Sequence, residues 1–454
     1  MTTTQGRPTV MVIGGGFAGF YAIRRLQRVL GGKADLVLVT ASDYLLYAPL
    51  LPEVANGVLE PRDIAVPYRQ TLRGVRVLVG RVRELDLTAH TIGLDCPEEG
   101  QVDLRWDRLV IAPGSVTRQF DIPGLREHAH GMKTLREATY LRDHIIAQLD
   151  RADALPEGPE NDDERRRRLT VVAVGAGYTG TELVAQLQFW VSRVTGRWGR
   201  LDPSQVRWVL VDVAPQVLPE LGSRLGAHAL GRLRRRGIEV RLGVSLSEVD
   251  DEGVTLTDGT RIATNTVVWS AGIVPSPLMA SLGLPTQRGR LEVGPDLAVR
   301  GAPHVWALGD AAAVPDLAVS ERSDNAGGRP ITAPTAQHAQ RQGPVAAANV
   351  AASLGLGVSR TYRHRDLGLV ADLGGWDAVA KPLGVPLTGP VAKAVARGYH
   401  LLALPSLSAR VRVATNWLYA SVLPTRVARL DLVRRDDALI DRAQGIEDAG
   451  VPGS

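Results

Sequence analysis

Residues 10–13 form a short apolar run that ends in Gly14-Gly15-Gly16-Phe17-Ala18-Gly19, after which apolar residues return at helical spacing through Leu26 and Leu30. The pattern predicts a strand, a tight turn and a helix, and a second apolar run at 36–39 closes a parallel β-α-β unit. The same order recurs at 169–174, Gly175-Ala176-Gly177-Tyr178-Thr179-Gly180, a helical stretch through Leu183 and Leu187, and a strand at 208–211. Further short apolar strands are predicted at 266–270 and 305–308, running into Ala271-Gly272 and Gly309-Asp310. Between the two units, 151–168 is a run of charge, proline and glycine with too little apolar surface for a core, so an exposed connection is expected there. From about Pro386 to about Pro424 the pattern turns helical.

The repeated strand-turn-helix places a glycine fingerprint at each helix N-terminus. The first glycine of each permits a tight turn, the second lets a pyrophosphate approach the backbone, and the third lets helix and strand pack closely. Amide groups at the helix start supply the anion site. Two fingerprints imply two dinucleotides. Gly14, Gly16 and Gly19 form the first set and Gly175, Gly177 and Gly180 the second. Asp212 closes the second strand of the later unit, where a carboxylate accepts from both ribose hydroxyls and repels a 2′-phosphate, so NADH is expected over NADPH. The matching position in the first unit is Thr40, a weaker ribose partner.

Composition sets limits on the chemistry. With 454 residues, 44% of them hydrophobic, the chain has enough apolar surface for two or three domains. The net charge of +5 comes from arginine, and no basic stripe with interleaved aromatics points to nucleic acid. The single cysteine, Cys96, leaves no redox pair or thiolate cluster, so a bound cofactor must carry the redox chemistry. Histidines 338, 364 and 400 lack metal-ligand spacing, and no metal is expected. No apolar run approaches the ~18 residues of a spanning helix, and no signal-like segment opens the chain, so a cytoplasmic protein with at most a surface membrane contact is expected.

The chain resembles the type II NADH dehydrogenases, FAD-containing NADH:quinone oxidoreductases of the membrane surface that do not pump protons. The resemblance rests on both fingerprints and on Ala48-Pro49-Leu50-Leu51, Ala112-Pro113-Gly114-Ser115, Val268-Trp269-Ser270-Ala271-Gly272, Ala307-Leu308-Gly309-Asp310 and Thr335-Ala336-Gln337-His338-Ala339. It implies an α/β fold of two Rossmann-type three-layer domains with a C-terminal amphipathic helical extension. FAD would be bound by 1–160 and 281–360, NADH by 161–280, and 361–454 would meet the membrane or a second subunit. Thr40, Pro49, Gly114, Asp310 and Gln337 would then contact FAD, and Tyr178, Glu182, Asp212 and Gly272 would contact NADH. Glu182, Gln337 and Arg341 would border the reacting groups, Arg341 standing where the family carries a second glutamine. Thr335 is an expected N-cap whose helix aims its positive end at the flavin.

The implied acceptor is a quinone, menaquinone or ubiquinone, at the inner face of the cell membrane. Leu407, Val411, Ala414, Trp417, Leu418 and Val422 fall at helical spacing with Arg410, Arg412, Arg426 and Arg429 around them, and this single stripe is expected to meet lipid, core or a dimer partner. Two other readings are carried: an NADH-dependent reductase of a soluble carrier such as a small iron-sulfur protein, and a slowly turning flavin redox sensor. Sulfide:quinone and disulfide reductases share the implied fold but need paired cysteines.

Overall fold

A computed structural model describes residues 6–318, 330–423 and 425–446. The opening unit forms as its pattern predicts, with strand β1 (Thr9–Ile13), helix α1 (Phe17–Leu30) and strand β2 (Asp35–Thr40). Helix α2 (Leu51–Ala55), strand β3 (Val75–Val79) and strand β4 (Arg108–Ile111) follow. The two-residue strand β5 (Ala129–His130) precedes helix α3 (Leu135–Ala154), whose Thr134 cap and Glu137 bond each other's backbone amides as a capping box. The second β-α-β unit is β6 (Thr170–Val174), α4 (Tyr178–Val194) and β7 (Arg207–Asp212), continued by β8 (Ile238–Leu242) and β9 (Thr266–Trp269). Then come β10 (Val305–Ala307), α5 (Ala336–Ser353), β11 (Val370–Asp372), β12 (Ala378–Ala380), β13 (Leu387–Thr388) and α6 (Gly389–Ala403). Helices α7 (Leu407–Val422) and α8 (Ile440–Gln444) end the described chain.

The chain divides into two compact units, one of residues 1–45, 66–116 and 274–365, the other of 46–65, 117–273 and 366–454. In the first unit all five strands of the main sheet run parallel in the order β10-β4-β1-β2-β3. In the second unit a parallel sheet has the order β5-β9-β6-β7-β8; its last four strands repeat the order of the first sheet, while the outer strand β5 precedes them in the chain where β10 follows. Strands buried on both faces read as unbroken apolar runs, as Val10–Ile13 and Val171–Val174 do, and that is why periodicity identified them. Strand order reverses beside β1 in one sheet and beside β6 in the other, and ligands of open α/β sheets bind outside the carboxyl ends of the strands at such points.

One expectation holds and one needs revision. Apart from buried Ala152, the 151–168 connection is half-buried or exposed, and it holds a helix, Asp162–Arg168, with no buried residue. Three acids in its first turn and four arginines in its last complement the helix dipole and pair with one another, giving a short helix that needs no core. The C-terminal stripe, by contrast, splits. Trp417 is only 4% exposed and its indole N–H bonds Glu53, whereas Leu407, Val411, Leu418 and Val422 are 57–76% exposed. A helix turns 100° per residue, so Trp417 and Leu418 cannot share a narrow face. Trp417 belongs with buried Ala409 and Val413 in the core of the second unit.

Candidate functional site

In the first unit, Gly14 has φ +98°, and a Cβ there would overlap the carbonyl of Ala112 on the neighbouring chain segment. A Cβ on Gly19 would overlap the Gly14 carbonyl, so α1 packs against the turn only because both positions are glycine. Gly16 differs, since a Cβ there would enter open space at the N-cap of α1. This leaves a cradle in front of the helix start. The second unit repeats it: Gly175 has φ +109° and lies against Ser270, Gly180 against the Gly175 carbonyl, and Gly177 faces open space at the N-cap of α4. Neither helix has a side-chain cap or an acid in its first turn, so both starts present their dipole and backbone to an anion.

The residues closing the second strands differ in their partners. Asp212 is clamped by the amide of Ala176, inside the glycine loop, and by that of Ala214 at 2.7 Å. It therefore orders the cradle as well as facing its edge. Thr40 is buried, its hydroxyl close to Tyr68, whose own hydroxyl donates to the Gly15 carbonyl at 2.5 Å. Burial pushes the Tyr68 phenol up, so it stays a donor.

Asp310 follows β10, and its carboxylate accepts the Ser115 hydroxyl at 2.6 Å. Gly114, with φ +78° and open space beside it, adjoins that serine. Gly309 donates its amide to Gln342 at 2.7 Å, and Gln342 is fully buried on α5. In the sequence Gln342 only flanks Arg341, together with Gln340, and is not among the expected site residues. Gly343 beside it admits the backbone of α1, since a Cβ there would lie 2.7 Å from the Ala22 nitrogen. Thr335 caps α5 by accepting the His338 amide, as expected, with Gln337 in the first turn. Arg341 donates to the carbonyl of Arg365 and contacts His364 at 3.3 Å, which ties its guanidinium to that segment. Ser115, Asp310, Gln337, Arg341 and the first cradle thus lie in one unit, while Pro49, in the short helix Ala48–Leu50, groups with the other.

In the second unit, Gly272 has φ +93° and its carbonyl accepts the Arg118 amide at 3.1 Å. Tyr178 opens α4, and its buried hydroxyl meets no hydrogen-bond partner among the described residues. Burial pushes that phenol up, as do Glu220 and Glu182. Glu182, one turn on, accepts the Asp372 amide at 2.7 Å, and burial pushes its carboxyl up to about 8. Asp372 is paired with Lys393 on α6. Lys393, one of four lysines in an arginine-rich chain, lies on the buried face of its helix beside Ala392 and Ala396, a signal that sequence reading did not use.

The group implied by the first fingerprint fits what is present. The open cradle at Gly16, the helix start behind it and the Asp310–Ser115 pair suit the pyrophosphate and hydroxyl groups of FAD. The cradle at Gly177 with Asp212 suits NADH in the same way.

A family model described as pyridine nucleotide-disulphide oxidoreductase matches residues 8–343, which defines the class of fold and site. With one cysteine the chain has no dithiol for disulfide chemistry, so the nucleotide half of that description is the part its residues serve. Over 440 residues, 94% of this chain and 90% of the relative, it is 31% identical to the type II NADH:quinone oxidoreductase Ndh of Mycobacterium tuberculosis. It is 37% identical to NdhA of the same organism over 69% of this chain and 68% of the relative. The solved structure of NDH2 from Plasmodium falciparum in complex with NADH shares the fold, with a TM-score of 0.84 at 17% identity over 93% of this chain and 100% of that one. The chain belongs to the type II NADH:quinone oxidoreductase family within the pyridine nucleotide-disulphide oxidoreductases.

Proposed function

We propose that the protein oxidises NADH and reduces a membrane quinone, menaquinone or ubiquinone, with FAD as its resident cofactor. The observation that carries this reading is the duplicated cradle: two parallel sheets sharing a four-strand β-α-β order, each presenting an open glycine at a helix start. FAD, when bound, supplies the hydride acceptor and the two-electron donor that no side chain of this protein offers. The first cradle, Gly114 and Asp310 bind and orient it, and Thr40 completes its surroundings. The second cradle, Tyr178, Asp212 and Gly272 bind and orient NADH. Gln337 and Arg341 border the acceptor.

The net reaction, NADH + quinone + H⁺ → NAD⁺ + quinol, takes up one proton. Glu182, whose raised carboxyl holds a proton near neutrality, is the donor. In this reading the protein works at the inner face of the cell membrane, where the acceptor dissolves, and the exposed apolar face of α7 supports a contact with the membrane surface. No helix among the described residues is long and apolar enough to cross a membrane.

The purified protein is expected to show a flavin spectrum that NADH bleaches and a menaquinone analogue restores, with turnover far above that given by a ferredoxin. Faster turnover with the ferredoxin would instead favour the soluble-carrier reading, and a flavin that stays reduced with either acceptor would favour the sensor. NADPH is expected to be the poorer donor. Asp212→Ala should relax that preference by about 1 kcal/mol, roughly fivefold in the ratio of kcat/KM values. Because Asp212 also clamps Ala176, both donors should bind less well in the variant. An unchanged preference would remove Asp212 from cofactor selection.

A further inference from the structure

Beside the second cradle, the second unit gathers charged side chains from several elements into one largely buried cluster. α2 supplies Glu53, α4 Glu182, β11 Asp372, and α6 Lys393 and Arg397. Lys393 pairs with Asp372, whose other oxygen accepts the Gly374 amide at 2.8 Å, so Asp372 is satisfied as an anion. Glu53, 5% exposed, has the indole N–H of Trp417 as its hydrogen-bond donor, and Glu182 has one backbone amide. Arg397 lies 5.1 Å over the Trp417 ring and 5.8 Å over that of Trp376. From α3, Arg142 lies against Gly57 at the end of α2 and donates to the Arg426 carbonyl at 3.2 Å. His400 on α6 is pushed down to about 4 by burial and bonds the Tyr47 hydroxyl at 3.1 Å, so it adds no positive charge near neutrality. Asp63 is occupied by Asn416 at 2.7 Å.

Asn56, at the C-cap of α2, donates to Gln186 on α4 at 2.9 Å, and the Glu53 charge reaches Glu182 closely enough to help raise its carboxyl. Among the described residues, three carboxyl groups of the cluster, Glu53, Glu182 and Asp372, face two cations, Lys393 and Arg397. Ionising all of them would leave uncompensated charge in a desolvated site, and such a site keeps a proton instead.

We propose that Glu53 is the residue that returns a proton to Glu182 after each turnover, and that Trp417 sets its affinity for that proton. The proposal rests on the NADH:quinone reading above. Glu182 gives its proton to the reduced acceptor, the Glu53 proton moves to the Glu182 carboxylate, and solvent reprotonates Glu53, one proton per quinol. Burial pushes Glu53 up to about 7 and Glu182 up to about 8, so both groups exchange protons near neutrality. Glu53 does not touch the acceptor, so it acts through Glu182 as a positioning residue for the proton.

The resting holoprotein is the sample for the first test. Its infrared spectrum should show two protonated carboxyl bands that titrate near neutrality, and Glu53→Gln should remove one of them. Trp417→Phe keeps most of the packing but removes an N–H that favours the anion, so that band should then titrate at higher pH. The second test compares turnover with a water-soluble quinone against ferricyanide, which takes electrons without protons. Glu53→Gln should lower the quinone-to-ferricyanide ratio about tenfold, most above pH 7, and Glu53→Asp should restore part of it. Both bands surviving in Glu53→Gln, an unmoved band in Trp417→Phe, or an unchanged ratio would each overturn the proposal. If the parent reduces ferricyanide but no quinone, the quinone reading fails, and the infrared bands still judge Glu53.

Discussion

Asp310→Ala is expected to yield folded protein that purifies without flavin. The carboxylate follows the edge strand of the first sheet, at the end where open α/β sheets hold ligands, and it is pre-oriented by the Ser115 hydroxyl at 2.6 Å. The preceding Gly309 amide is held by buried Gln342, so the aspartate sits on a fixed turn. A charge-assisted hydrogen bond to a ligand is worth about 1.5–3 kcal/mol, and loss of the carboxylate removes its bonds to FAD together, a weakening of roughly a hundredfold or more. The ratio of flavin to protein absorbance measures it, with reconstitution at added FAD to recover the affinity. Ser115→Ala should have the smaller effect, since it leaves the charge in place. Full flavin occupancy in Asp310→Ala would remove this residue from the site.

Simultaneous replacement of Leu407, Val411, Leu418 and Val422 by serine should abolish flotation with anionic liposomes while the fold and flavin reduction by NADH persist. These four side chains are 57–76% exposed on α7, with Tyr419 and Leu423 beside them, also exposed. Interfacial burial of each should contribute on the order of 1 kcal/mol, about half of a full transfer, so the four together account for roughly a thousandfold in partitioning. High salt should weaken binding only modestly, because arginine attraction to anionic lipid is screened while the apolar contribution is not. Trp417→Ser is a different experiment. It deletes a buried ring and the partner of Glu53, and should cost about 3–5 kcal/mol of stability. If the fourfold variant stays folded and floats as well as the parent, the exposed face belongs to a second subunit, and sedimentation of the parent would then show a dimer that the variant lacks.

The amino-acid sequence by itself determined what is local along the chain. Unbroken apolar runs became the central strands of two parallel sheets because strands covered on both faces have no polar side to alternate. Gly14, Gly19, Gly175 and Gly180 could be read because each is required by its own turn, within a few residues. The Thr335 cap followed the same local logic.

The tertiary structure decided whatever depends on residues far apart. Helical spacing placed Trp417 and Leu418 in one stripe, but only packing against α2, more than 350 positions away, shows that one is core and the other surface. Asp212 appeared in the sequence as a ribose ligand, and its clamp on Ala176 emerged when β6 and β7 paired. The cluster of Glu53, Glu182, Asp372 and Lys393 had no sequence signature, because its members come from four elements spread over 340 positions. No periodicity records that these groups share one desolvated site. Their proton affinities are set by burial and by one another's charge, and both exist only after the chain has folded.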